Sequence, residues 1–248
     1  CEGTLRVLSR SRRIRCLAPH TTTDSAPSSA AKHPTPADPL RKRRRSADSA
    51  FVLKICREAL GRENVRAVIA KSPSLPQSEL EAAQRIAGEI GAELLVIETR
   101  ELENPEYARN STRRCYFCKN ELYSHLITIA EQSRDDSAPA CRTGRSRSYV
   151  IVNGINCDDL LDWRPGLEAA REYGIKSPLV EAGFGKEEIR SYSRELGLST
   201  WSKPQAACLS SRIPFGTNVT ADRLKQIENG EEVLQELGFN VVRLRWFG

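Results

Sequence analysis

The residues from Asp48 onward predict an α/β fold in which a parallel sheet carries helices on both faces. Short apolar runs, rich in β-branched residues, recur at residues 65–70, 94–97 and 149–152. Each has the length of a buried strand. Segments with apolar residues at helical spacing stand between them, and strands that alternate with helices in this way connect in parallel. Glycine closes two of the helical segments, at Gly61 and Gly91, where a helix ends in a left-handed residue.

In chain order, Phe51, Val52, Ile55 and Leu60 form the inner face of a first helix that stops at Gly61. Strand 65–70 follows. Ser78 is placed to cap a helix over 79–90, with Leu80, Ala83, Ile86, Ala87 and Ile90 inward. Residues 94–97 read as the next buried strand. The polar loop 101–114 then delivers Cys115-Tyr116-Phe117-Cys118-Lys119 to the start of a helix that reaches about Gln132. Residues 134–148 are Arg/Ser-rich and read as a surface insertion. Strand 149–152 ends in Asn153-Gly154, with Asp158-Asp159 and Trp163-Arg164-Pro165-Gly166 beyond it. Helices are expected over 167–173, 186–196 and 221–237, and a strand from 241 to 248. Ligands of parallel sheets bind beyond the carboxyl ends of the strands, which puts the loops after Ile97 and Val152 at the functional edge.

Charge is unevenly spread. The net +6 of the 248 residues comes from residues 1–50, with 11 Lys/Arg against 4 Asp/Glu, whereas the rest holds 27 against 28. A neutral body argues against a nucleic-acid partner, because a polyanion needs net basic surface. No apolar run approaches the roughly 18 residues of a membrane span, and the N-terminus shows no secretory signal, so a reducing cytoplasm is expected. Residues 1–47 read as an unfolded leader: 21–39 is Thr, Ser, Ala, Pro and His with little else, too poor in apolar surface to order itself. The basic run Arg41-Lys42-Arg43-Arg44-Arg45 is the one feature that would suit a basic-tailed nucleic-acid-binding protein.

The chemistry concentrates in Lys203-Pro204-Gln205-Ala206-Ala207-Cys208-Leu209-Ser210-Ser211-Arg212-Ile213-Pro214-Phe215-Gly216. Small neighbours leave the Cys208 thiol accessible, and an arginine four residues on favours a thiolate or holds a phosphate. Cys115 and Cys118 form a C-x-x-C, which in a cytosolic chain points to metal or redox chemistry. The three cysteines together point to sulfur chemistry. Zinc is the alternative, but structural zinc wants four ligands and no fourth is evident. Cys56 and Cys16 read as bystanders, while Cys157 stands at the site edge.

These motifs resemble the LarE family of ATP-dependent sulfur transferases, within the PP-loop ATP pyrophosphatases. The matching pieces are D-S-A-F-V-L-K from Asp48, R-C-Y-F-C-K from Arg114, N-C-D-D-L-L-D-W-R-P-G-L from Asn156, the Lys203–Gly216 stretch, and V-V-R-L-R from Val241. They span about four-fifths of the chain in the family's order. The resemblance implies a Rossmann-like parallel sheet of the PP-loop type over 48–200, and the start of a smaller α+β substrate-binding domain over 201–248 that continues past Gly248. It also implies a homo-oligomer when full length. The family's S-G-G-x-D-S loop, whose backbone amides grip ATP phosphate, is altered. Asp48 and Ser49 match its end, but Arg44-Arg45-Ser46-Ala47 replaces the glycines and no strand is evident before it. Two readings of this departure stand: a frame error in GC-rich coding sequence, which would give Arg-Arg in place of Gly-Gly, or a genuine basic leader over residues 1–47. Weak ATP turnover follows as an expectation.

The activity implied is adenylation of a carboxylate on a pyridinium dicarboxylate mononucleotide by ATP with Mg²⁺, then displacement of AMP by sulfur, as in nickel-pincer cofactor synthesis. Members with three cysteines carry a [4Fe–4S] cluster, which assigns Cys115, Cys118 and Cys208 as its ligands; single-cysteine members give up their own cysteine sulfur. The resemblance also marks Lys119, Arg164 and Arg212 as substrate or nucleotide contacts, Arg243 and Arg245 as a phosphate pair, and Glu231 as an acidic site residue beside the catalytic Cys208. A PP-loop tRNA thiolation enzyme is the alternative enzyme class, disfavoured by the neutral body.

Overall fold

Strands with helices above and below must bury both of their faces, so successive side chains feed two different cores. The computed structural model describes residues 6–9, 46–132, 149–204 and 207–247. Chain order is β1 (Arg6–Ser9), α1 (Ser46–Leu60), β2 (Val65–Lys71), α2 (Gln77–Ile90), β3 (Glu93–Glu98), α3 (Pro105–Ala108), α4 (Arg114–Gln132), β4 (Val150–Val152), α5 (Pro165–Glu172), α6 (Pro178–Glu181), α7 (Lys186–Glu195) and α8 (Ala221–Glu236). Val65, Ala67, Ile69 and Val152 pack with α1, α2 and α7 on one face. Val68 and Ile151 pack with Leu122, Leu126 and Ala169 from α4 and α5 on the other. A third cluster joins Tyr107 and Cys118 to Leu209, Ile213, Leu224 and Ile227, so the segment around Cys208 shares a core with α3, α4 and α8. No described helix is long and apolar enough to cross a membrane.

The α/β class is as expected, but the sheet departs from the all-parallel prediction. Its order is β3-β2-β1-β4. β2 and β3 pair in parallel, whereas β1 runs antiparallel to both β2 and β4. β2, β3 and β4 therefore point one way and β1 alone is reversed. A strand thus stands where the sequence offered only leader. The reason is accounting: without it, β2 and β4 would each present a row of unpaired backbone groups to a gap in the sheet. Its reversed direction has a cost for the site. Ser9 pairs with Val65 and Val150, so β1 ends at the edge where β2 and β4 begin. The first turn of α1 lies at the opposite edge, against Gly154. A strand running straight into a helix, as a phosphate-gripping loop requires, is not formed by β1 and α1.

Smaller departures have local causes. Ile55 is exposed rather than inward. α2 starts after Pro76, and Ser78 lies inside it instead of capping it. β3 is half exposed because it is an edge strand. Residues 241–247 form no strand, since their backbone donors go elsewhere: Leu244 N to Glu231 Oε1 at 2.9 Å and Trp246 N to the Arg212 carbonyl at 3.1 Å. The expectations for 10–45, 134–148, Gln205-Ala206 and Gly248 lie outside the described residues.

The turn after β4 explains why residue 154 is glycine. A Cβ there would lie 2.7 Å from Ser49 N and Oγ and 2.9 Å from Ser49 Cα. Backbone cannot yield as a side-chain tip can. Gly154→Ala is therefore expected to lower stability by about 1–3 kcal/mol, the usual cost of overpacking, read as a lower denaturant midpoint with unchanged m-value.

Candidate active site

Cys208 lies on a segment whose position is fixed from three directions. Leu209 N donates to the Ser74 carbonyl at 2.9 Å, which anchors the segment beyond the carboxyl end of β2. The hydroxyls of Ser74, Tyr107 and Ser210 form a buried triangle, with Tyr107 Oη 2.6 Å from Ser74 Oγ and 2.7 Å from Ser210 Oγ. Asn110, with positive φ, donates through Nδ2 to the carbonyls of Ile213 and Pro214 and accepts from Gly216 N. Buried Arg114 donates to Asn110 Oδ1 and to the Ser210 carbonyl.

The third direction is Arg212. Its guanidinium grips Glu231 with both edges, Nε to Oε1 at 2.8 Å and Nη2 to Oε2 at 3.0 Å. Nη1 donates to the carbonyls of Ala207, at 2.6 Å, and Cys208, at 3.0 Å. Both side chains are buried. The sequence expected Arg212 to meet a substrate phosphate and Glu231 to act as a site acid. In the structure their polar atoms are turned on each other and on the backbone of the Cys208 segment. Arg243 lines a small cavity of about 140 Å³ with Arg212 and Glu231, whereas Arg245 is exposed and lies outside its wall. The strand geometry that would aim both at one phosphate is not present.

A larger cavity of about 490 Å³ lies on the other side of the segment, and Ala207 borders both. Cys208, Cys115, Lys119 and Arg164 line it. Cys115 and Lys119 are one helical turn apart on α4 and so share a face. Arg164, the residue before Pro165 at the start of α5, is held at 3.0 Å by Asp159 and by Asp162, and Lys186 Nζ reaches the same Asp159 at 3.1 Å. At the rim beside Gly154, buried Asp48 accepts from Asn156 Nδ2 at 2.8 Å. Ser49 Oγ and Asn153 Nδ2 are buried and have no hydrogen-bond partner among the described residues.

The three cysteines are not gathered as the sequence expected. Cys115 and Cys208 are not in disulfides. Cys118 is disulfide-bonded and packs beside Tyr107 and Leu209 rather than on the cavity wall. Among the described residues no group of three His, Cys, Asp or Glu is arranged to hold a metal ion, so this arrangement does not fit a three-thiolate cluster. Sequence reasoning missed Ser74, Tyr107, Asn110, Arg114 and Asp159 as supports of the site. Only Arg114 and Asp159 sit inside recognisable motifs; the others are ordinary loop residues until the fold closes.

Two predictions follow from these supports. Glu231→Ala leaves the Arg212 cation buried without its partner and is expected to cost about 3–5 kcal/mol. Arg212→Lys cannot reproduce the two-edged grip, and both effects are measurable by denaturant unfolding. Burial, then the neighbouring Cys208 and Glu101, push the Tyr107 phenol well above its ordinary value of 10.0. A raised folded value means a contribution to stability that is complete below about pH 10 and lost as pH climbs past it. Tyr107→Phe is therefore expected to cost about 1–2 kcal/mol at neutral pH, with the gap to wild type narrowing under alkaline unfolding.

No family model matches the chain. Over 198 residues, 80% of its length, it is 42% identical to an uncharacterized protein of Synechocystis sp., covering 69% of that protein. It is 35% identical over 199 residues to pyridinium-3,5-bisthiocarboxylic acid mononucleotide synthase of Lactiplantibacillus plantarum, covering 80% of this chain and 67% of that one. A third relative, an uncharacterized protein of Methanocaldococcus jannaschii, is 32% identical over 137 residues, 55% of this chain and 48% of its own.

Proposed function

The chain belongs to the LarE family, that of pyridinium-3,5-bisthiocarboxylic acid mononucleotide synthase, and on that premise we propose an ATP-dependent sulfur transferase acting on a pyridinium carboxylate mononucleotide. The observation that carries this is the pairing of Cys208 and Cys115 with Lys119 and Arg164 around one cavity. Thiols supply sulfur there, and cations receive a carboxylate or phosphate. ATP with its Mg²⁺ is a substrate of this reaction. Ser49 Oγ and Asn153 Nδ2, buried without partners among the described residues, suit a ligand at the rim where Asp48 also lies.

The chemistry needs activation because a carboxylate is a poor electrophile. A substrate carboxylate oxygen bonds to the α-phosphorus of ATP, pyrophosphate leaves, and an acyl-adenylate forms. The Cys208 thiolate then bonds to the acyl carbon and AMP departs with the bonding pair. Removal of the Cys208 Cα proton and cleavage of its Cβ–Sγ bond leave a thiocarboxylate on the substrate and dehydroalanine at position 208. Any weakness of this chain we place in the first half, where glycines are absent before Asp48 and β1 does not lead into α1.

The iron–sulfur route competes for the second half. It requires Cys118 reduced and brought beside Cys115 and Cys208. Substitutions separate the two. Cys208→Ala is expected to abolish thiocarboxylate formation, followed by mass spectrometry of the product. Cys118→Ala is expected to retain it, and the peptide holding Cys208 should lose the mass of hydrogen sulfide with each transfer. Turnover that needs Cys118 and leaves Cys208 at full mass would hand the reaction to a cluster.

A further inference from the structure

We propose that Trp163 and Phe215 clamp the substrate's ring, with Trp163 stacking on a positively charged pyridinium and Phe215 closing the opposite rim. The proposal rests on the sulfur-transfer reading above and adds the element that selects the ring.

Single exposed aromatics are ordinary on a protein surface, but exposed apolar side chains that rim a ligand cavity mark a binding site. Several exposed aromatics here already have neighbours: Tyr192 packs on Phe51 and Phe184, and Trp201 lies under the Arg194 guanidinium. Phe247, at 81%, is the most exposed of the described aromatics, but Trp163 and Phe215, at 75% and 66%, are the exposed ones that line the cavity holding Cys208 and Cys115.

Their backbones are fixed while their rings are open. Arg164, next to Trp163, is pinned to Asp159 and Asp162, and Gly166 packs so closely that a Cβ would lie 3.1 Å from Lys119 Cγ. Phe215 sits between Pro214 and Gly216, both bonded to Asn110. Rigid backbone with an exposed ring lowers the entropy lost on binding a flat ligand.

The ligand chemistry follows from what surrounds the rings. An N-alkylated pyridinium carboxylate is a planar cation with anionic substituents. Trp offers the most favourable face for such a cation, and Lys119 and Arg164 stand on the same wall for the anions. Phe215 already has the Arg114 guanidinium 5.7 Å from its ring centroid, so the cationic face is assigned to Trp163. The ring that bears the reacting carboxylate has to lie near the thiols, whereas the adenine of ATP sits remote from the reacting atoms.

The test uses the full chain and four probes: nicotinic acid mononucleotide, nicotinamide mononucleotide, its reduced uncharged form, and AMP. Nicotinic acid mononucleotide is expected to quench tryptophan fluorescence in wild type and not in Trp163→Leu. Its Kd by calorimetry should weaken about five- to tenfold in that variant and recover most of the loss in Trp163→Phe. Phe215→Ala should weaken the same Kd by a smaller factor. Oxidised nicotinamide mononucleotide should bind more tightly than its reduced form, and Trp163→Leu should erase that preference. Quenching of Trp163 by AMP but by neither pyridinium overturns the proposal and gives the ring to the nucleobase. Unchanged affinity in Trp163→Leu overturns it outright. If that variant also carries out Cys208-dependent transfer with an unaltered half-saturating substrate concentration in single turnover, the clamp fails while the sulfur-transfer reading stands. Absence of such transfer in wild type fails that reading and leaves the binding result to be judged alone.

Discussion

The Arg212–Glu231 pair is the constraint on which the site depends. Two parallel hydrogen bonds fix the guanidinium plane, and the remaining edge of Arg212 reaches the Ala207 and Cys208 carbonyls. Glu231 also accepts from Leu244 N, and the Arg212 carbonyl accepts from Trp246 N. One buried ion pair thus sets α8, the Cys208 segment and residues 244–246 relative to each other. Such a pair gains little net stability over an apolar replacement, but breaking it is costly. Its value here is positional: it orients the backbone on either side of the thiol.

Position also explains why the chemistry is found at one edge. β2, β3 and β4 share a direction, so the loops after Lys71, Glu98 and Val152 emerge together. Ser74 from the first anchors Leu209, and Gly154 from the third presses on Ser49. The reversed β1 pairs with both β2 and β4, and its Ser9 end lies at the opposite edge.

Much of this was legible in the residues. Helical spacing and β-branched runs placed α2, α4, β2 and β4 within a few residues, because burial on both faces leaves a strong apolar pattern. The pattern failed where tertiary partners decide. β3 reads as buried although it is an edge strand, and the alternating Val241–Arg245 run looks like a strand until its amides are given to Glu231 and Arg212. The antiparallel β1 carried no composition signal, since a four-residue strand is defined by its neighbours. In the site, Cys208, Cys115, Lys119 and Arg164 were identifiable from motifs. The Ser74–Tyr107–Ser210 triangle was not, because its members are 33 and 103 residues apart in sequence.

Helix geometry accounts for the unequal cysteines. Around α4, Lys119 stands about 40° to one side of Cys115 and Cys118 about 60° to the other, so those two diverge by about 100°. Cys115 therefore shares the cavity wall with Lys119, and Cys118 is turned toward Tyr107, Leu209 and Ile213. Cys118 is buried there and disulfide-bonded, whereas Cys115 is exposed. Cys208 and Cys115 border a cavity whose wall also carries Lys119 and Arg164. The difference follows from one residue of spacing: C-x-x-C on this helix gives one sulfur to the cavity wall and one to the core.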